Sequence, residues 1–82
     1  MQSYEVIVSL KKEVLDPEGR AIKETLVRLG FHSVQDIQVS KRFVVNLKEG
    51  ASEEEAAKIA EEFLVNSVSE EFVLRKLQVE AQ

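Results

Sequence analysis

The chain has 82 residues, a net charge of −4, 44% hydrophobic residues and 32% charged ones. That length holds one domain over 1–82, and a domain so small buries only about 60% of the surface its unfolded chain exposes, so burial in an oligomer would stabilise it. The absence of Cys excludes disulfides, thiolate nucleophiles and Cys-ligated metals, the single His leaves little imidazole chemistry, and the acidic balance argues against unspecific binding to nucleic acid or to an anionic membrane.

Residues Tyr4 to Lys11 alternate, with Val6, Val8 and Leu10 on one side and Glu5, Ile7, Ser9 and Lys11 on the other. Period two with β-branched residues predicts a strand. Met1 to Glu5 show no basic segment followed by an apolar one, and the longest apolar runs are only two or three residues. No signal peptide and no membrane span is expected, and a cytoplasmic protein is the simplest reading.

Asp16-Pro17-Glu18 opens the next element. An Asp can accept hydrogen bonds from the free N–H groups of a first helical turn, and Pro fits the first helical position. Ile22, Leu26 and Leu29 then recur at helical spacing, Glu24 and Arg28 are spaced as an ion pair, and Gly30 is a ready left-handed stop. A helix over about 17–29 follows. Val34 to Lys41 reads as a second strand with Ile37 and Val39 inward. Arg42 to Lys48 reads as a third, with Phe43, Val45 and Leu47 on one face. The connection at Ser40-Lys41-Arg42 is short and lacks Gly, so the pair is either an antiparallel hairpin or one long bent ribbon.

Ser52-Glu53-Glu54-Glu55 makes a capping box, and Ala56, Ile59, Ala60, Phe63 and Leu64 form one apolar stripe, ending near Asn66. Glu71 to Glu80 carries Phe72, Val73, Leu74, Leu77 and Val79 on mixed parities, which predicts a strand with a bulge or with partners on both faces. The order is β-α-β-β-α-β, the ferredoxin-like order. It implies a two-layer α+β fold, an antiparallel sheet with two helices on one face. Ile7 and Val44 then lie on the other face, too apolar for water, and point to self-association.

Candidate chemistry is sparse. His32 is a lone loop histidine without Cys or a second His, a poor metal site. Consecutive glutamates at 53–55, 61–62 and 70–71 do not set two carboxyl pKa values apart as acid–base catalysis needs. Lys41-Arg42-Phe43-Val44-Val45 faintly resembles the aromatic strand of an RNA-recognition module but lacks its glycines and further aromatics. No phosphate loop occurs around Gly19, Gly30 or Gly50. An ACT-like regulatory module that binds small ligands shares the element order, but it would want a Gly-rich loop after the first strand. The residues therefore offer no catalytic, cofactor or metal site and describe a module acting through contacts.

One turn stands out. Gly in a first helical turn lowers helix propensity by up to about 1 kcal/mol relative to Ala. Gly19 therefore implies the close approach of another backbone. Asp16, Pro17 and Gly19, with Lys41 as a second point, are candidate partner contacts; the plainer alternative is a capped helix start in a crowded turn.

Leu15-Asp16-Pro17-Glu18-Gly19-Arg20-Ala21, then Leu26 to Leu29-Gly30-Phe31, Val34-Gln35-Asp36-Ile37 and Lys41, closely resemble the PurS family, the small subunit of phosphoribosylformylglycinamidine synthase. The resemblance runs through the whole chain, including Leu64-Val65-Asn66. Ser40 stands where the family usually has Gly, and Ser67 where Asn-Pro is common. The resemblance implies a non-catalytic subunit in de novo purine synthesis. It would join a large synthetase chain, which uses ATP and Mg, to a glutaminase chain, assist ammonia transfer, and form a homodimer or larger assembly.

Overall fold

A strand buried on both edges organises the chain. The computed structural model describes residues 1–78; Val79 and Glu80, the end of the expected last strand, lie outside them. Strand β1 (Gln2–Leu10) is the middle of a three-stranded sheet, between β2 (Ser40–Leu47) and β3 (Glu70–Leu77), and both pairings are antiparallel. In register, Val6 stands between Phe43 and Leu74, and Val8 between Lys41 and Phe72. The alternation expected of β1 therefore sends Val6 and Val8 to one face, where both are buried with Ala60 and packed by Phe43, Val45, Phe72 and Leu74. The mixed parity of the last segment needs no bulge: its register with β1 is unbroken from Glu70 to Leu77. Phe72 and Leu74 pack on the covered face, and Val73 is left exposed on the other.

The cover on that face is helix α2 (Glu53–Ile59), continued by a π turn over Ala60–Leu64. Ser52 caps α2, its hydroxyl accepting from the Glu55 N–H at 3.3 Å, and three glutamates occupy the first turn where the helix dipole favours negative charge. Ala56 and Ala60 are fully buried, and such small residues let helix and sheet approach closely. The expected five-residue stripe holds except at Phe63. The Val65 N–H donates to the Ala60 carbonyl at 3.1 Å, which inserts one residue into the helical turn. Leu64 and Val65 then reach the core, and Phe63 stands 79% exposed. Asn66 ends the helix, accepting from the Val68 N–H through its side chain and from the Glu70 N–H through its carbonyl.

Helix α1 (Pro17–Arg28) starts and stops as the sequence predicts. At its end, Phe31 N–H donates to Leu26 O and Gly30 N–H to Val27 O, with Gly30 at φ 106°, a left-handed stop that glycine adopts freely. Glu24 pairs with Arg20 at 3.3 Å, rather than with Arg28 as the spacing suggests.

The α+β class and the strand–helix order hold, with a difference at the second strand position. Residues 34–39 belong to no ladder, and the chain enters β2 at Ser40 without a turn. Neither expected connection forms: residues 34–39 pair with no strand, so they make no hairpin with the next segment, and the strand begins only at Ser40. α1 contributes no side chain to the buried cluster. The described residues extend over 51 × 35 × 13 Å with a radius of gyration of 16.6 Å, where about 12 Å suits a compact chain of this length. A nine-residue strand accounts for about 30 Å. The remaining length belongs to α1 and residues 31–39, an arm beyond the end of the sheet where β1 finishes and β2 begins.

Candidate functional site

At the base of the arm the expected partner-contact residues come together. Asp16 adopts an extended conformation before Pro17, and its two carboxylate oxygens serve different parts of the chain. One accepts from the Gly19 N–H at 2.9 Å and caps α1; the other accepts from the Val39 N–H at 2.9 Å and holds the returning segment. These backbone donors, Gly19 first and Val39 second, hold the Asp16 carboxyl below its ordinary value, since they favour the charged acceptor. Gly19 is buried, and a Cβ there would overlap the carbonyl oxygen of Ile37. The close backbone approach inferred from sequence is real, and that backbone is the chain's own, 18 residues further on. Pro17 is exposed at the first helical position. Lys41 lies two residues beyond Val39, about 7 Å of extended chain. It is exposed, and its Nζ stands 3.7 Å from Glu70 Oε2.

An open groove of ≈ 730 Å³ runs between the end of β1 and the arm, lined by Lys11, Lys12, Arg20 and Lys23 and by Asp16 and Asp36 among others. With Glu13 and Glu71 also in the lining, four basic and four acidic residues border the groove, so it favours neither sign of charge. Among the described residues no group of three or more His, Cys, Asp or Glu is placed to hold a metal ion. His32 is exposed in the loop after α1. No helix among the described residues is long and apolar enough to cross a membrane.

The uncovered sheet face carries a charge cluster that sequence reasoning missed. Glu5 is 7% exposed at its side chain and lies between two arginines: Arg42 Nε donates to one carboxylate oxygen, and Arg75 NH2 stands 2.9 Å from the other. The hydrogen bond from Arg42 is the largest influence on Glu5. Burial opposes it, the charge of Arg75 adds to it, and the net effect holds the carboxyl below its ordinary value. A buried carboxylate needs such pairing. Beside the cluster, Val44 and Val73 are exposed, so the face expected from Ile7 and Val44 to be apolar is apolar and ionic by turns. The signal was present: Glu5 and Arg42 fall on the same outward parity of neighbouring strands. The ambiguous parity of the last segment hid Arg75.

Taken together, these features define a class: a small α+β module with one covered sheet face and an arm locked by a carboxylate clamp. Comparison with known proteins gives the family. The model of the PurS family, described as phosphoribosylformylglycinamidine (FGAM) synthase, matches residues 3–78. The phosphoribosylformylglycinamidine synthase subunit PurS of Mycobacterium leprae is 38% identical over 71 residues, which cover 87% of this chain and 90% of that protein. The crystal structure of PurS from Methanocaldococcus jannaschii, one of the subunits of formylglycinamide ribonucleotide amidotransferase in the purine biosynthetic pathway, superposes with a TM-score of 0.85 at 33% identity, covering 98% of this chain and 100% of that one. A chain of the PurLQS structure from Thermotoga maritima matches with a TM-score of 0.74 at 28% identity over 93% of this chain and 96% of that one. The chain belongs to the PurS family, whose members are subunits of FGAM synthase, a ligase of purine biosynthesis.

Proposed function

We propose that this chain is the assembly subunit that joins the ATP-dependent synthetase chain to the glutaminase chain of FGAM synthase and helps deliver ammonia between them. The observation that carries the reading is the match of almost the whole chain, residues 3–78, to a family one of whose members lies in the PurLQS structure of Thermotoga maritima. Physical chemistry gives the need. Free ammonia equilibrates with ammonium and diffuses away, so two active sites that share it must be held together with water excluded between them. A small chain without a nucleophile cluster contributes by bracing that assembly. In this reading ATP and Mg belong to the large chain, and the complex works in the cytoplasm.

The same reading makes the chain a homodimer or a larger homo-oligomer. Support comes from the arm, whose helix leaves Ile22 and Leu29 exposed, and from Val44 and Val73 on the open sheet face. It also keeps the arm's base as a partner contact. The exposed Pro17 and Lys41 meet the larger chains, while Asp16 and Gly19 fix the shape of the turn.

Reconstitution tests the function. With the synthetase and glutaminase chains, adding this chain should restore glutamine-dependent synthesis of formylglycinamidine ribonucleotide, and omitting it should leave synthesis from added ammonium salt. Equal glutamine-dependent rates with and without the chain would overturn the proposal.

A further inference from the structure

The carboxylate of Asp16 does more than a helix start requires. Asn caps a first turn about as well as Asp, because one oxygen satisfies one amide there. Ser52 serves α2 in that way, with a single hydroxyl on the Glu55 N–H. Asp16 instead gives one oxygen to the Gly19 N–H and the other to the Val39 N–H, each at 2.9 Å. Asn could not do both, since its side chain carries one acceptor oxygen and an NH2 that only donates.

The second bond joins the arm to the sheet. Val39 directly precedes Ser40, whose pairing with Ser9 begins the β1–β2 ladder, so the sheet sets its place. Gly19 lies in the first turn of α1, against the Ile37 carbonyl. Asp16 therefore fastens the root of α1 to the root of β2. Packing does little to fix the same angle. α1 adds no side chain to the buried cluster. Residues 12–15, which lead into it, are exposed apart from the half-buried Val14, whose N–H donates to the Lys11 carbonyl. The leverage is large. The 12 residues of α1 span about 18 Å, so a turn of about 10° at the root moves the far end by about 3 Å.

We infer that Asp16 is a positioning residue of the assembled enzyme: its second oxygen sets the direction of the arm, and that direction governs how much of the ammonia released from glutamine reaches synthesis. This rests on the assembly reading above and names the residue on which it turns. Ammonia passed between two chains is lost wherever their brace lets water in, and a displacement of ångströms is enough to do so.

Asp16→Asn keeps the bond to Gly19 and loses the one to Val39, so it separates direction from capping. Added to saturation with the synthetase and glutaminase chains, it should lower the product formed per glutamine hydrolysed on the order of threefold or more. Ser52→Ala, which removes the cap of α2, should leave that ratio at the wild-type value. The arm itself is read by spin labels at Arg28→Cys and Lys48→Cys in the full chain, which has no Cys of its own. Dilution with unlabelled chain confines the reading to distances within one chain. Asp16→Asn should broaden or shift that distance distribution. An unchanged distribution overturns the arm-setting role. A changed distribution with an unchanged ratio overturns its link to ammonia delivery, and so does an equal fall of the ratio in Ser52→Ala. If the wild-type chain itself leaves the ratio where it stands without it, the assembly reading fails, and the distances alone decide whether Asp16 sets the arm.

Discussion

In the sheet body, Val6 and Val8 are fully buried between two neighbouring strands and a helix; in the arm, the one buried residue of α1 is Gly19, which has no side chain to bury. The body is held by apolar area removed from water, at about 25 cal/mol per Å². The arm is held by directed hydrogen bonds: a carboxylate that accepts from two amides, and a helix stop closed by two more. Burial makes a region stable but indifferent to small changes of angle. Hydrogen bonds from one clamp fix angles while adding little stability, which suits a limb that leaves Ile22 and Leu29 exposed. The two regions should therefore fail differently.

The largest effect is expected from Val6→Asp. A carboxylate at a fully buried position between Phe43 and Leu74 costs several kcal/mol, comparable with the whole stability of a small domain. Thermal melting should lose its cooperative transition, and an unchanged melt would contradict the assignment of the core. Gly19→Leu probes the arm instead. The added side chain meets the Ile37 carbonyl, so the clamp opens. The amides of Gly19 and Val39 should lose hydrogen-exchange protection while those of β1 keep theirs. If protection in β1 fell equally, arm and body would be one cooperative unit.

Acid separates the regions more finely. Glu5 and Asp16 both have folded-state pKa values below their ordinary values of 4.5 and 3.8. A depressed carboxylate pKa contributes stability that is fully present above the ordinary value and is lost as pH falls through the folded one. The melting temperature should thus hold steady from neutral pH to about pH 5 and drop below that. Glu5→Gln should lower it at pH 7 and flatten the drop. Asp16→Asn should alter chiefly the exchange of the Gly19 and Val39 amides. A Glu5→Gln melt that keeps the full acid slope would remove Glu5 as its source. The smallest effect is at the α2 cap: Ser52→Ala should cost about 0.5–1 kcal/mol, read from urea melts, because the hydroxyl serves a single amide at 3.3 Å.

Sequence reasoning read the body and the start of the arm well, and for physical reasons. Alternation in β1, the capping box at Ser52 and the Asp16-Pro17 helix start are local patterns whose meaning depends on few distant residues. Residues 34–39 carry strand chemistry in Ile37 and Val39, yet a strand exists only beside a partner, and no local pattern names one. Phe63 shows the same limit, since one inserted residue rotates a side chain out of a stripe that the spacing places inside. Gly19 sits between: propensity foretold a close backbone, but only the folded chain identifies it as that of Ile37. The pairing of Arg75 with Glu5 needed the register of β3, which mixed parity concealed.

The position of β1 in the sheet also sets an order of events during synthesis. The central strand precedes both of its partners in the chain, pairing Gln2 with Leu47 on one edge and Ser3 with Leu77 on the other. Until β3 has emerged, one edge of β1 lacks the partner it has in the folded chain, and Val6 and Val8 lack the cover of Phe72 and Leu74. Contacts this distant in sequence make folding slow for the chain's size and leave a nascent apolar edge open to pairing with other molecules. Truncation before β3 therefore would not give a smaller folded version of the protein. It would give a ribbon with an unsatisfied edge, the kind of species that chaperones bind.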